Sequence, residues 1–230
     1  MDSYDALFAS NDQNDNGMEE ETMKKEDEIS HESPANSSEN FERPLAAALH
    51  ATLQEATLKG DIDLAAAVIS TMSKVSVDDL QWLFVHRVHR EVIKFLSRNR
   101  SSSNVGRACF DFLKNVPQLT EGAASQQKRR FRKAQMKRFG EVFDAGAGDE
   151  ILYALKHHIS DSRLVFSALN LIYTWRHNRG VSKQLRKIGV ADEVKFSISF
   201  YQHHTLSPCL TKVAKRALEV CWYGSTRKWR

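Results

Sequence analysis

A helical pattern recurs with small variations through the C-terminal part of this 230-residue chain. The pattern combines short amphipathic stretches that close with glycine and longer apolar stretches with a small residue near the centre, and each copy holds all or part of it. The copies are QMKRFGEVFDAGAGDEILYALKHH (Gln135–His158), SALNLIYTW (Ser167–Trp175), SKQLRKIGVADEVKFSISFY (Ser182–Tyr201) and AKRALEVCWYG (Ala214–Gly224). Stacked units of this kind bury a continuous core and leave one concave face free. The pattern therefore predicts a helical binding scaffold.

The spacing of the copies narrows the class of repeat. Equivalent residues lie 43 to 49 positions apart, in the pairs Gly146 and Gly189, His157 and His203, and Ala168 and Ala217. Periods in the forties are typical of armadillo-like helical solenoids. No stretch alternates apolar and polar residues strongly enough to indicate a strand. We therefore predict an all-α fold.

The segment QLRKIGVADEVKFSI, together with the downstream VAKRALEVCWYG, resembles an armadillo repeat. The residues at the packing positions of that repeat are Leu185, Ile188, Gly189, Val194, Ala214, Ala217 and Leu218, and one repeat earlier Phe139, Phe143, Gly146, Ile151, Ala168 and Leu169. The resemblance implies an armadillo-like superhelix of about three repeats that binds proteins. The third helices lack the regularly spaced asparagines with which importin-like armadillo proteins hold an extended peptide, so that binding mode is not implied.

The segment from Asp149 to Gly224 also resembles the five-helix N-terminal domain of transcription elongation factor S-II. The order SALNLIYTW, QLRKIGV and AKRALEVCWYG carries this second resemblance. Those domains are armadillo-like and bind short disordered motifs of transcription factors. The resemblance implies, as an alternative function, a nuclear adaptor of the transcription-elongation type.

Charge is distributed unevenly along the chain. Residues 1–43 hold thirteen acidic and three basic side chains, whereas the remainder holds 16 acidic and 30 basic ones. The acidic segment is poor in aliphatic residues and cannot bury enough surface to offset the entropy cost of ordering. We predict a disordered acidic tail over 1–43, a helical-repeat domain over 44–224 with a basic helical insert near 126–144, and a basic C-terminal tail over 225–230.

The densest basic cluster is KRRFRKAQMKR, which is predicted to be helical. Its candidate partner-binding residues are Lys128, Arg129, Arg130, Arg132, Lys133, Lys137 and Arg138. Such a cluster neutralises phosphates, serves as a nuclear import signal, holds the acidic tail, or is simply a solvated helix face. The last repeat extends the positive surface through Lys183, Arg186, Lys212, Lys215 and Arg216. The predicted partners are proteins with acidic or phosphorylated segments, with nucleic-acid phosphates as the alternative.

No catalytic, cofactor-binding or metal-binding motif stands out in the sequence. The chain lacks a GxSxG elbow and a phosphate-cradling glycine loop, and His86 and His89 have no acidic or cysteine ligand at a supporting spacing. The three cysteines form no CxxC pair, which is typical of a reducing compartment. No apolar run reaches the roughly 18 residues of a membrane span. We therefore predict a non-catalytic adaptor of the cytoplasm or nucleus, without cofactor, metal or membrane partner.

Overall fold

A computed structural model describes residues 43–117, 125–176, 178–204 and 208–223 of the chain. All regular secondary structure in these ranges is helical, which confirms the all-α prediction for them. The helices are α1 (Pro44–Lys59), α2 (Ile62–Met72), α3 (Val77–Val85), α4 (Val88–Arg98), α5 (Ser103–Asn115), α6 (Ser125–Val142), α7 (Gly148–His157), α8 (Ser162–Thr174), α9 (Arg179–Lys187), α10 (Val190–His204) and α11 (Pro208–Tyr223), and a π-helical turn (Phe143–Ala147) joins α6 to α7. The predicted acidic tail (apart from Arg43) and basic C-terminal tail lie outside the described residues.

The helices repeat in groups of three. The last helix of each group packs against the last helix of the next, so that α2, α5, α8 and α11 follow one another in one layer, called here the third-helix layer. Each of these helices also packs against the helix that precedes it in the chain, namely α1, α4, α7 and α10. The described chain therefore consists of a first helix pair followed by three groups of three helices.

Small residues allow the helices of the third-helix layer to pack closely. Ala65, Ala108, Ala168 and Ala217, one from each of these helices, are all buried. Between α5 and α8 the approach is closest at Gly106, where an added Cβ would lie 2.7 Å from Leu164 Cδ1. Short side chains at such contacts let helix axes approach to about 8–10 Å.

A left-handed residue closes the first helix of every three-helix group. Gly146 has a φ of 108° and Gly189 a φ of 88°, and these are the two glycines that the repeat alignment paired. In the earliest group Arg87 takes the same place, with a φ of 60°, and it is the one non-glycine with positive φ among the described residues. The turn at Arg87 separates α3 from α4. Glycine adopts the conformation without the steric cost that a Cβ imposes.

Polar side chains begin several helices as the sequence predicts. Asp61 accepts a hydrogen bond from the amide of Leu64, and Asp161 accepts bonds from the amides of Arg163 and Leu164. Each bond satisfies an amide that has no partner within its own helix. The turn at Gly60–Asp61 and the start of α8 were therefore readable from local sequence alone.

Candidate binding surface

Helix α6 carries the basic cluster, and part of it faces solvent. Arg132, Lys133 and Lys137 are exposed, and no carboxylate of the described residues lies within salt-bridge distance of them. The side chains of Lys128, Arg129 and Arg130 lie outside the described residues. Residues 132–137 of the helix thus present three exposed cations that have no salt-bridge partner among the described residues.

Arg138 differs from the other members of the predicted cluster because its side chain turns inward. The guanidinium carbon lies 4.7 Å from the centroid of the Phe84 ring, and burial lowers the pKa of the group. Its Nη1 atom is buried without a hydrogen-bond partner among the described residues. Asn178 also donates a hydrogen bond to the Met136 carbonyl, at 2.8 Å, just before α9. Arg138 therefore attaches α6 to the core, and its side chain is only partly exposed to solvent.

The five cations predicted for the last repeat all reach solvent. Lys183, Arg186, Lys212, Lys215 and Arg216 are exposed. The structure brings two of them, Arg186 and Arg216, against aromatic rings of the third-helix layer. The other three lie on the same helices, α9 and α11, and have no ring partner among the described residues. The predicted positive surface therefore contains two distinct cation–aromatic contacts.

The first of these contacts surrounds Tyr173 on α8. The Arg176 guanidinium carbon lies 4.7 Å from the centroid of the Tyr173 ring, and that of Arg216 from α11 lies 5.8 Å away. Cations at such distances are attracted to the electron-rich face of the ring. Two adjacent helices of the third-helix layer thus contribute a guanidinium to one phenol ring.

The second contact surrounds Trp222 near the end of α11. The Lys195 ammonium nitrogen lies 4.9 Å from the Trp222 ring centroid and the Arg186 guanidinium carbon 6.0 Å away. Trp222 remains 44% exposed, whereas Trp175 at the end of α8 is fully buried. The two tryptophans therefore differ: Trp175 packs in the core, whereas Trp222 faces outward on its helix.

Tyr173 and Trp222 occupy equivalent positions in successive units. They are 49 residues apart, which is the offset that separates the buried Ala168 from Ala217. Sequence reasoning missed Arg176, Lys195 and Tyr173 as members of this surface. The equal offset was the available signal, because it places two aromatic residues on the same face of two neighbouring third helices.

The cations of this surface are largely uncompensated. No carboxylate of the described residues lies within salt-bridge distance of Arg176, Arg186 or Arg216. Lys195 has Asp192 at 3.7 Å, one turn away on its own helix. We call Tyr173, Arg176, Arg186, Lys195, Arg216 and Trp222 the cation–aromatic surface. Its composition suits a ligand that offers negative charge together with apolar area.

The histidines and cysteines of the described residues form no comparable site. His86 is stacked on Trp82, with ring centroids 3.7 Å apart, while His89 is buried against Phe84, so the two do not converge. No group of three possible metal ligands occurs among the described residues. Burial raises the pKa of the Cys109 thiol and raises that of Cys221 to about 12. A thiol held in its protonated form is a poor nucleophile.

Three comparisons of the chain with known proteins found no match. It matches no protein-family model, no curated protein and no solved structure. No described helix is both long enough and apolar enough to cross a membrane.

Proposed function

We propose that this protein is a non-catalytic adaptor that binds a segment of another protein on its third-helix layer. The observation that carries the proposal is the cation–aromatic surface, where four cations, three of them exposed, lie near two equivalent aromatic rings and only Lys195 has a carboxylate within salt-bridge distance among the described residues. Aromatic residues and arginine are the side chains most enriched at the energetically dominant positions of protein interfaces. A surface of this composition is suited to partner segments that carry acidic or phosphorylated residues.

An armadillo-like superhelix is the architecture that we propose for the scaffold. Three features support it: the succession of α2, α5, α8 and α11 in one layer, the buried alanine in each of them, and the left-handed turn that closes the first helix of each group. Repeat scaffolds of this type bind their partners along the face formed by one helix of each repeat. The third-helix layer is that face in this proposal.

The alternative of a nuclear transcription-elongation-type adaptor remains compatible with the same surface. The region that resembles the elongation-factor domain contains five helices, α7 to α11, in the expected order. Such a protein binds short disordered motifs, and its location is nuclear. For the broader adaptor function we propose a location in the cytoplasm or nucleus.

A second candidate function is binding of a nucleic-acid backbone through α6. It is favoured by Arg132, Lys133 and Lys137, which are exposed and unpaired among the described residues. Each phosphate contact releases condensed counterions, so several contacts weaken binding by roughly tenfold or more between about 50 and 200 mM salt. An interface that buries apolar surface responds much less to salt.

Affinity purification after nuclease treatment tests these functions. The intact chain is compared with two variants, Arg176→Gln with Arg216→Gln and Arg132→Gln with Lys133→Gln and Lys137→Gln. We expect the intact chain to retain bound proteins after nuclease treatment, and we expect the variant with Arg176→Gln and Arg216→Gln to lose them. Partners that disappear with nuclease alone, or with the α6 variant alone, would move the assignment to nucleic acid.

A further inference from the structure

The arrangement of the cation–aromatic surface also indicates what its ligand looks like. Resting on the adaptor function proposed above, we propose that Tyr173 and Trp222 are two steps of a ladder that binds an extended acidic segment of a partner protein. Each step holds one side-chain oxyanion, and successive oxyanions lie three residues apart in the partner. The ligand chemistry is a carboxylate or a phosphate on a polypeptide.

The two steps belong to solvent-facing stripes that run along neighbouring helices. On α8 the stripe contains Arg163, Phe166, Asn170 and Tyr173, and on α11 it contains Lys212, Arg216, Glu219 and Trp222. The spacings of three and four residues keep each set on one side of its helix. Arg216 reaches from the α11 stripe to the Tyr173 ring, so the two stripes form one continuous surface.

The guanidinium groups are already held in place by the rings. A guanidinium that lies over an aromatic ring uses its flat face for that contact and keeps N–H donors at its edge. Those donors suit a carboxylate or phosphate, which accepts two parallel hydrogen bonds from one arginine. Pre-positioning by Tyr173 reduces the side-chain entropy that Arg176 and Arg216 lose on binding. The Tyr173 step thus offers two arginines to one oxyanion.

The spacing of the steps sets the spacing of acidic residues in the ligand. Neighbouring packed helices have axes about 8–10 Å apart. An extended chain in the polyproline II conformation advances about 3.1 Å per residue and repeats every three residues, so three residues cover about the same distance and return a side chain to the same side. A segment that crosses α8 and α11 therefore brings every third side chain over an equivalent position. The equivalence of Tyr173 and Trp222 makes these positions two aromatic rings flanked by cations.

Glu219 allows a separate test of whether this surface binds its ligand through negative charge. It lies on the α11 stripe, three residues after Arg216 and three before Trp222, and is partly buried. An acidic ligand on this surface would be repelled by that carboxylate. Removing the charge should therefore strengthen binding, whereas variants that merely damage the fold weaken it.

Labelled peptides and the full chain test the proposal by fluorescence anisotropy. One peptide has glutamate at every third position, separated by serine and glycine, and a second has the same composition with its glutamates contiguous. A third peptide replaces each spaced glutamate with phosphoserine, which separates carboxylate from phosphate ligands. We expect the spaced peptides to bind at least about fivefold more tightly than the contiguous one, because only they place an oxyanion on both steps.

Paired variants connect the binding to the two steps. Arg176→Gln with Arg216→Gln should weaken binding of the spaced peptide by at least about tenfold. Arg90→Gln with Lys94→Gln removes the same charge from exposed positions of α4 and should change it by less than about twofold. Tyr173→Phe keeps the ring face and should bind like the unchanged chain, whereas Tyr173→Leu should not. Glu219→Gln should strengthen binding by about twofold.

Several results would overturn the ladder, and they are distinguishable from failure of the adaptor function. The ladder proposal would be wrong if the spaced and contiguous peptides bound equally tightly. It would also be wrong if the α8–α11 variant and the α4 variant lost the same amount of affinity for the spaced peptide. The proposal would likewise be wrong if an oligonucleotide of equal charge displaced the spaced peptide and bound more tightly than it. If none of the peptides binds, but nuclease-resistant protein partners still require Arg176 and Arg216, the adaptor function stands and only this ligand is wrong. If the chain retains no nuclease-resistant protein, the adaptor function itself falls.

Discussion

The guanidinium of Arg100 donates two hydrogen bonds to the carboxylate of Glu150, from Nε at 2.9 Å and from Nη2 at 2.6 Å. Arg100 lies between α4 and α5, whereas Glu150 lies in the first turn of α7 and is only 5% exposed. The same guanidinium lies 5.0 Å from the centroid of the Tyr153 ring. This ion pair therefore joins two successive groups of helices, with the carboxylate buried and the guanidinium partly exposed.

Replacing Arg100 should destabilise the folded chain. Arg100→Ala leaves the Glu150 carboxylate buried without its donors, and we expect the free energy of unfolding to fall by about 2–3 kcal/mol. Arg100→Lys should recover only part of this, because an ammonium group cannot donate the paired bonds of a guanidinium. Urea denaturation followed by circular dichroism measures both changes. Equal stability of all three proteins would show that the ion pair does not support the junction.

The left-handed turns predict a stabilising substitution. Arg87 has a φ of 60° where the equivalent positions hold Gly146 and Gly189. Arg87→Gly relieves the steric cost of a side chain in that conformation, although glycine also gives the unfolded chain more conformational freedom. We expect the free energy of unfolding to rise by about 0.5–1 kcal/mol on balance. Gly189→Ala is the matched opposite change, because nothing lies within 4 Å of the added Cβ and only the φ of 88° opposes it. Thermal denaturation should move in opposite directions for the two variants, and parallel shifts would contradict the argument.

His89 should make the fold sensitive to acid. It is 1% exposed, neither ring nitrogen has a hydrogen-bond partner among the described residues, and burial lowers its pKa from 6.5 to about 4. The unfolded chain therefore binds a proton near pH 6.5 while the folded chain stays neutral at this site. This site makes the free energy of unfolding fall as the pH drops below 6.5, by about 3 kcal/mol at pH 4.

Variants of His89 separate its contribution to the pH dependence of stability from the contribution of the acidic residues, which also titrate. His89→Leu and His89→Phe cannot bind the proton, so their stability should fall less between pH 7 and pH 4 than that of the unchanged chain. At pH 7 we expect little loss, because His89 makes no hydrogen bond that the replacement would break among the described residues. Urea midpoints measured across this pH range give the comparison. Identical pH profiles would mean that His89 is hydrated or mobile in the folded state.

The cysteines should differ in reactivity. Cys209 is exposed at the start of α11, whereas Cys109 and Cys221 are buried and their thiols are held protonated by burial. A maleimide should therefore label the native chain at Cys209, and the other two should react only after unfolding. Peptide mapping by mass spectrometry identifies the labelled residues. In Cys209→Ser the rapid labelling should disappear, and rapid native labelling of Cys109 would show that α5 opens readily.

Local sequence signals predicted much of the secondary structure. The glycines at 146 and 189 marked the turns because a left-handed residue there favours glycine, whereas no glycine marks the left-handed turn at Arg87 between α3 and α4. The basic cluster was visible as a run of charges. Its sequence gave no reason to separate Lys137, which is exposed, from its neighbour Arg138, which turns towards Phe84.

The amino-acid sequence by itself determined the helices, their caps and the repeat offsets, because these depend on neighbours within a few residues along the chain. It also determined that the helical part is basic. Only the tertiary structure decided which rings and cations meet. Arg216 contacts Tyr173 because α8 and α11 pack side by side, and Trp222 is exposed while Trp175 is buried because the helices present different faces there. Such contacts join residues far apart in the chain, so helix packing and not local propensity fixes the candidate binding surface.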